Sequence, residues 1–185
     1  MKNDNYSKVF RSQRIFRSLI DAFSHPFRVC SIEDSADTVK ELCSVLLDNE
    51  VSFYVDDDCA LASEIKEMTY AKVKDIDLAD YIIITDPHKF DMFDKIRQGT
   101  LANPHEGATV IISMPRLKGN EEIVATGPGI DGELLCCVDE RISYFLDKAK
   151  QLNIEYPKGF EMLFAAPGGE MLAAPRRAKI SRRNI

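Results

Sequence analysis

The chain has 185 residues, 45% hydrophobic and 29% charged, with 9 Gly and 8 Pro, which excludes a disordered, collagen-like or low-complexity polymer. At this length folding buries roughly 70% of the unfolded surface, so residues 1–185 are expected to form one domain with its own core. The net charge of −6 is unevenly spread, with +4 on residues 1–28, −15 on 29–175 and +5 on 176–185; an acidic body with basic ends lacks the broad basic face of a nucleic-acid binder. No apolar run approaches the roughly 18 residues of a membrane span. The opening MKNDNYSKVF has no apolar signal core, so a cytoplasmic protein off the membrane is expected.

Val9, Phe16, Leu19, Ile20 and Phe23 recur at helical spacing and predict an amphipathic helix over 8–24 with these residues on its buried face. His25-Pro26 ends it, because a residue preceding proline is pushed out of helical geometry. A second helix is expected over 36–48, capped by Asp34 or Ser35, with Val39, Leu42, Cys43, Leu46 and Leu47 as its stripe. Val51–Val55 reads as a strand, 59–68 as a short helix, and Tyr81–Thr85 as a buried strand. Asp56-Asp57-Asp58 lacks the alternation and closing Glu of a calcium loop and reads as a strand end leading into a solvated turn.

Phe90–Arg97 is expected to be helical, with Gly99 at a left-handed end. Thr109–Ser113 is a second buried strand. Across Lys118-Gly119-Asn120, Glu122–Thr126 is expected to return as its hairpin partner. A helix follows over 139–152, and Phe160–Ala165 with Met171–Ala174 reads as a hairpin around Pro167-Gly168-Gly169. Early alternation of helices and strands with late hairpins predicts an α/β fold with a mixed sheet.

The local chemistry is sparse. Five cysteines, two adjacent, make no disulfide framework or Cys-x-x-Cys and read as buried reduced thiols. The three histidines stand apart, without metal-ligand spacing, so no metal is expected. Gly127-Pro128-Gly129-Ile130-Asp131-Gly132 spells the dinucleotide fingerprint, but that device needs a buried strand running straight into a helix. Here the neighbours read as extended, and Pro128 removes an amide. A type II turn is the main reading; the alternative is a small-molecule enzyme that acts alone at a nucleotide or phosphonate site formed by this turn and His105. His105 lies in a loop beside Pro104 and reads as solvated or capping, though loops also carry sites. Arg176 and Arg177 open the densest basic segment, either a solvated end or a docking element for an acidic surface or a phosphate.

In chain order, Phe16–Phe23, Gly99–Thr109 with Asn103-Pro104-His105-Glu106-Gly107, Gly127–Ile130 and Ala174-Pro175-Arg176 together resemble the PhnH family of the bacterial carbon–phosphorus lyase core complex. The chain departs from it at Pro26-Phe27, where the family commonly has Pro-Gly, and at Arg177 and Ala178, where it tends toward threonine. The resemblance implies a three-layer αβα fold similar to that of pyridoxal-phosphate-dependent transferases but without the cofactor site, and hence no cofactor. It implies a homodimer assembled with PhnG, PhnI and PhnJ. It also implies an assembly role in making α-D-ribose 1-methylphosphonate 5-triphosphate from ATP and methylphosphonate. His105, Gly127, Gly129, Arg176 and Arg177 are the expected ligand or partner contacts, with no residue assigned to catalysis.

Overall fold

Strands β4 (Tyr81–Ile84), β5 (Thr109–Ser113) and β8 (Glu161–Ala165) are nearly unbroken apolar runs, as strands covered on both faces must be. They lie parallel side by side, Ile82 opposite Val110 and Val110 opposite Met162. Successive side chains point to opposite faces. Ile82, Ile84, Val110, Ile112, Met162 and Phe164 therefore enter one core cluster, while Ile83, Ile111 and Leu163 enter the other. The structure is a computed structural model that describes residues 2–152 and 154–182, with side chains from Val9 onward.

Around this centre β2 (Ser52–Val55) and β3 (Lys72–Val73) extend the parallel arrangement on one side. On the other side β9 (Glu170–Ala174) and β1 (Cys30–Ser31) add antiparallel, for a seven-stranded mixed sheet ordered β1-β9-β8-β5-β4-β2-β3. Helices α1 (Lys2–Ser24), α2 (Thr38–Leu46) and α3 (Cys59–Thr69) cover one face through Leu19, Leu42 and Ile65. The other face carries α4 (Glu140–Gln151), whose Phe145 meets Phe164 edge-on at 6.1 Å. Beside α4 lies a separate antiparallel sheet ordered β10-β6-β7, formed by β6 (Glu121–Thr126), β7 (Leu134–Val138) and β10 (Lys179–Arg182). Helices thus flank a mixed sheet on both faces, an α/β fold with an αβα layout.

Several sequence expectations change. Glu121–Thr126 does not pair with Thr109–Ser113; it pairs with β7 and β10 in the second sheet, because a hairpin partner would have occupied the edge that β8 takes. The cap of α2 is Asp37, accepting from the Lys40 amide at 3.1 Å, rather than Asp34 or Ser35. Phe90–Arg97 contains only a single tight helical turn, Phe93–Lys95, since Phe90, Phe93 and Ile96 all need the same buried cluster. Of the cysteines only Cys43 is buried, its thiol pushed up to about 12 by burial, while Cys59 and Cys137 are exposed. Adjacent residues on the edge strand β7 point oppositely, so Cys136 is half-buried where Cys137 faces solvent.

The largest change concerns α1. Its buried residues are Ile15, Leu19 and Ala22, whereas Val9, Phe16 and Ile20 are about half exposed or more, at 63%, 48% and 51%. Periodicity finds the apolar side of the helix, and the packing uses one edge of it. Arg11 fixes this rotation by pairing with Glu41 on α2.

Asp80 ties three segments together. Its carboxylate accepts from the Ser52 amide at 2.8 Å and from the Ser52 hydroxyl, and it pairs with Arg97. Burial pushes this carboxyl up, but the Ser52 hydrogen bonds and the Arg97 guanidinium outweigh that and hold it below its ordinary value. The ionised form is therefore bound preferentially by the folded state. The resulting stability is present above the unfolded carboxyl value near 3.9 and is lost as pH falls through the lower folded value. Asp80→Ala should cost about 1–2 kcal/mol at pH 7, toward the low end for charge-assisted hydrogen bonds at a partly exposed site. Urea unfolding at pH 7 and pH 3 should show this difference shrinking at the lower pH.

Candidate functional site

The C-terminal segment begins where β9 ends, and Arg176 is its anchor. The Arg176 amide donates to Glu161 Oε2 at 2.8 Å, its Nε lies 3.1 Å from Glu161 Oε1, and its guanidinium also donates to the Pro104 carbonyl. Two glycines make room for it. A Cβ on Gly107 would fall 2.0 Å from the Gly159 carbonyl oxygen and 3.3 Å from the Arg176 guanidinium, and one on Gly159 would sit 3.1 Å from Arg176 Cβ. Beyond this anchor β10 pairs with β6, and Arg182 bonds Ser143 and Asp147 of α4 and lies 3.7 Å from Glu121. The described part of the basic end is thus folded structure, and its two paired arginines are consumed in holding it.

What this segment leaves open is a groove of about 1000 Å³ against α4 and the 154–160 loop. Its apolar lining includes Phe27, Leu146, Ile154, Phe160, Met162 and Ile180. Among the described residues five cations also line it, Lys150, Lys158, Arg176, Arg177 and Lys179, and no carboxylate does. Arg176 is neutralised by Glu161; among the described residues the other four have no ion-pair partner. The Arg177 guanidinium lies 5.3 Å over the Tyr156 ring, a cation–π arrangement that orients its planar fork.

The Gly127–Gly132 segment is the turn between β6 and β7. The Ile130 amide donates to the Gly127 carbonyl at 3.1 Å, and Gly129 has φ 83°, the left-handed value that the third position of a type II turn requires. No helix follows, so the context of a dinucleotide loop is missing. A Cβ on Gly129 would meet the Ser24 carbonyl oxygen at 2.6 Å, and one on Gly127 would meet Ala178 Cα at 3.1 Å. These glycines let the turn pack against α1 and the C-terminal segment.

The structure therefore brings Gly127, Arg176 and Arg177 to one groove. Gly129 lies behind it, against the end of α1. His105 is exposed in the tight turn Pro104–Glu106, one residue from the carbonyl that holds Arg176, and does not line the groove. Sequence reading missed Lys150, Lys158, Tyr156 and Phe27. Lys148, Lys150 and Lys158 lie within eleven residues of one another, but only the return of the C-terminal segment puts Lys150 and Lys158 on one groove with Arg177.

A second, smaller crevice of about 310 Å³ lies at the C-terminal ends of β4 and β5, beside the N-termini of α2 and α3. Those amides already have acceptors, Asp37 and Asp58, and Lys40 pairs with Glu64. Among the described residues no three His, Cys, Asp or Glu side chains gather as a metal site.

The family model described as bacterial phosphonate metabolism protein (PhnH) matches residues 4–181. The chain belongs to the PhnH family. It is similar to a C-P lyase subunit protein, HtxG, of Stutzerimonas stutzeri, 26% identical over 171 residues that cover 92% of this chain and 86% of the relative. It is also similar to the alpha-D-ribose 1-methylphosphonate 5-triphosphate synthase subunit PhnH of Rhizobium meliloti (strain 1021). That match is 23% identical over 185 residues and covers 94% of this chain and 92% of the relative. The departure from the PhnH pattern at Phe27 has a structural counterpart. Phe27 has φ 62°, a conformation that suits glycine and strains a bulky residue, and its buried ring lines the groove.

Gly129 and Gly132 both have positive φ, but only Gly129 is crowded. Gly132→Ala should cost about 1–2 kcal/mol, the left-handed penalty. Gly129→Ala should cost about 1–3 kcal/mol more through overpacking against α1. Denaturant midpoints of the two variants check this order.

Proposed function

We propose that this chain is an assembly subunit of the carbon–phosphorus lyase core complex. Within it the chain contributes to forming α-D-ribose 1-methylphosphonate 5-triphosphate from ATP and methylphosphonate, and has no turnover of its own. The observation that carries this reading is the family match over residues 4–181, together with two relatives named as subunits that align along nearly their whole lengths. In this reading the chain works in the cytoplasm as a homodimer beside PhnG, PhnI and PhnJ. Helices on both faces of the mixed sheet are compatible with the likeness to cofactor-free relatives of pyridoxal-phosphate transferases that the family resemblance implies.

An assembly subunit needs surface to give up to partners. The outward edge of α1 supplies it: Val9, Phe16 and Ile20 follow one another at spacings of seven and four and leave large apolar side chains in solvent. Such a contiguous apolar stripe is the kind of surface that protein contacts cover. Arg17 and Asp21 flank it and are exposed, as the polar rim of an interface would be.

Co-expression with the other core subunits tests the reading. The chain should co-purify with them, and the purified chain alone should release no adenine from ATP and methylphosphonate; robust release by this chain would overturn the assembly role. The double variant Phe16→Glu, Ile20→Glu should keep its melting temperature within a few degrees, since both side chains are already half exposed. It should lose co-purification or self-association, measured by pull-down and light scattering. If both associations persist, α1 is not the contact.

A further inference from the structure

We propose that the groove between the C-terminal segment and α4 binds a phosphorylated small molecule with an aromatic body, its phosphate held by Lys158, Arg177 and Lys179. This goes beyond the assembly role and stands independently of it.

Three observations carry the inference. The first is charge. The protein is net −6, yet among the described residues the groove lining has five cations and no carboxylate, and only Arg176 of the five is neutralised. Like charges gathered without counter-ions repel one another, a cost that an anion would relieve. The second is shape. A recess of about 1000 Å³ with an apolar floor lies at the upper end of small-ligand pockets. An acidic peptide would satisfy the cations but bring nothing planar or apolar to cover Phe160, Ile154 and Met162. The third is strain. Phe27 holds a left-handed backbone conformation while its ring lines this floor. Strain of this kind persists where the surrounding structure over-determines it, and it concentrates at ligand sites.

The segment is built to hold its cations in place. Arg176, locked to Glu161 and the Pro104 carbonyl, fixes the start of the segment in which Arg177 sits in a turn and Lys179 opens β10. Arg177 lies over Tyr156, so its fork is oriented for bidentate contact with phosphate oxygens. Lys158 precedes Gly159, whose amide donates to the Gln98 carbonyl at 2.8 Å and fixes the opposite wall. Phosphate and aromatic body would be recognised by different parts of the groove, which makes the two separable.

The test is titration calorimetry on the full-length protein with 1-naphthyl phosphate, inorganic tripolyphosphate, 1-naphthol and hexaglutamate as probes. Saturable binding of 1-naphthyl phosphate is expected, at least tenfold tighter than 1-naphthol. The double variant Lys158→Glu, Arg177→Glu should weaken it at least tenfold without shifting the melting temperature appreciably. Phe27→Leu, which keeps an apolar side chain but removes the ring, should weaken 1-naphthyl phosphate several-fold and leave tripolyphosphate unchanged. Absence of saturable binding up to millimolar concentration, or affinity unmoved by the charge reversal, would overturn the proposal. Tighter binding of hexaglutamate than of 1-naphthyl phosphate would also overturn it, making the groove a surface for an acidic protein segment. None of these outcomes depends on co-purification with other subunits, so this proposal and the assembly reading fail separately.

Discussion

Burial of β4, β5 and β8 on both faces sets the terms for everything else in the molecule. Ile82, Ile83 and Ile84 are all fully buried, as are Ile111 and Ile112, although neighbours along a strand point in opposite directions. Each face must therefore be covered. Helices α2 and α3 come from the connections among the early strands and, with α1, which precedes those strands, cover one side. The other side receives only α4, and the small antiparallel sheet completes the cover beside it. The groove lies where those two unlike covers and the C-terminal segment meet.

The C-terminal segment links the fold to the candidate site. A basic stretch following the last central hairpin could have stayed in solvent, as short charged ends usually do. It is instead tied at Arg176 by the Glu161 carboxylate and at Arg182 by Asp147 and Glu121, with β10 paired to β6 between them. Segregated charge in the sequence thus serves first as intramolecular complementarity: part of the basic end neutralises part of the acidic body. Arg177 and Lys179, on the same short segment, have no ion-pair partner among the described residues, and it is this remainder that gives the groove its sign.

Two apolar features stand outside that economy. The Val9, Phe16 and Ile20 edge of α1 is exposed in a chain whose α2 and α4 bury most of their apolar stripes, and it is the surface that the proposed assembly role would cover. Phe27 is the reverse case, buried in a backbone conformation that a glycine would adopt freely. Neither follows from hydropathy. Periodicity marks a helix as having an apolar side but does not say which edge of it the sheet will use, and no local signal announces a left-handed phenylalanine.

The amino-acid sequence by itself determined the elements with strong local patterns: the apolar central strands, the α2 and α4 stripes, the Phe160–Ala174 hairpin and the turn at Gly127–Ile130. Each is specified by neighbours a few residues apart, through side-chain alternation, helical spacing or the conformational freedom of glycine. It also determined the family, through short segments spread in order along the chain. Only the tertiary structure decided that Glu121–Thr126 leaves the main sheet, that the basic end becomes its partner strand, and that Lys150 and Lys158 line one groove with Arg177. Those outcomes depend on which edges and faces are already occupied when distant segments meet, a competition that local spacing does not encode. Charge segregated along the sequence has no position in space until the chain folds; folding turns the basic end into two ion-paired anchors and one basic groove.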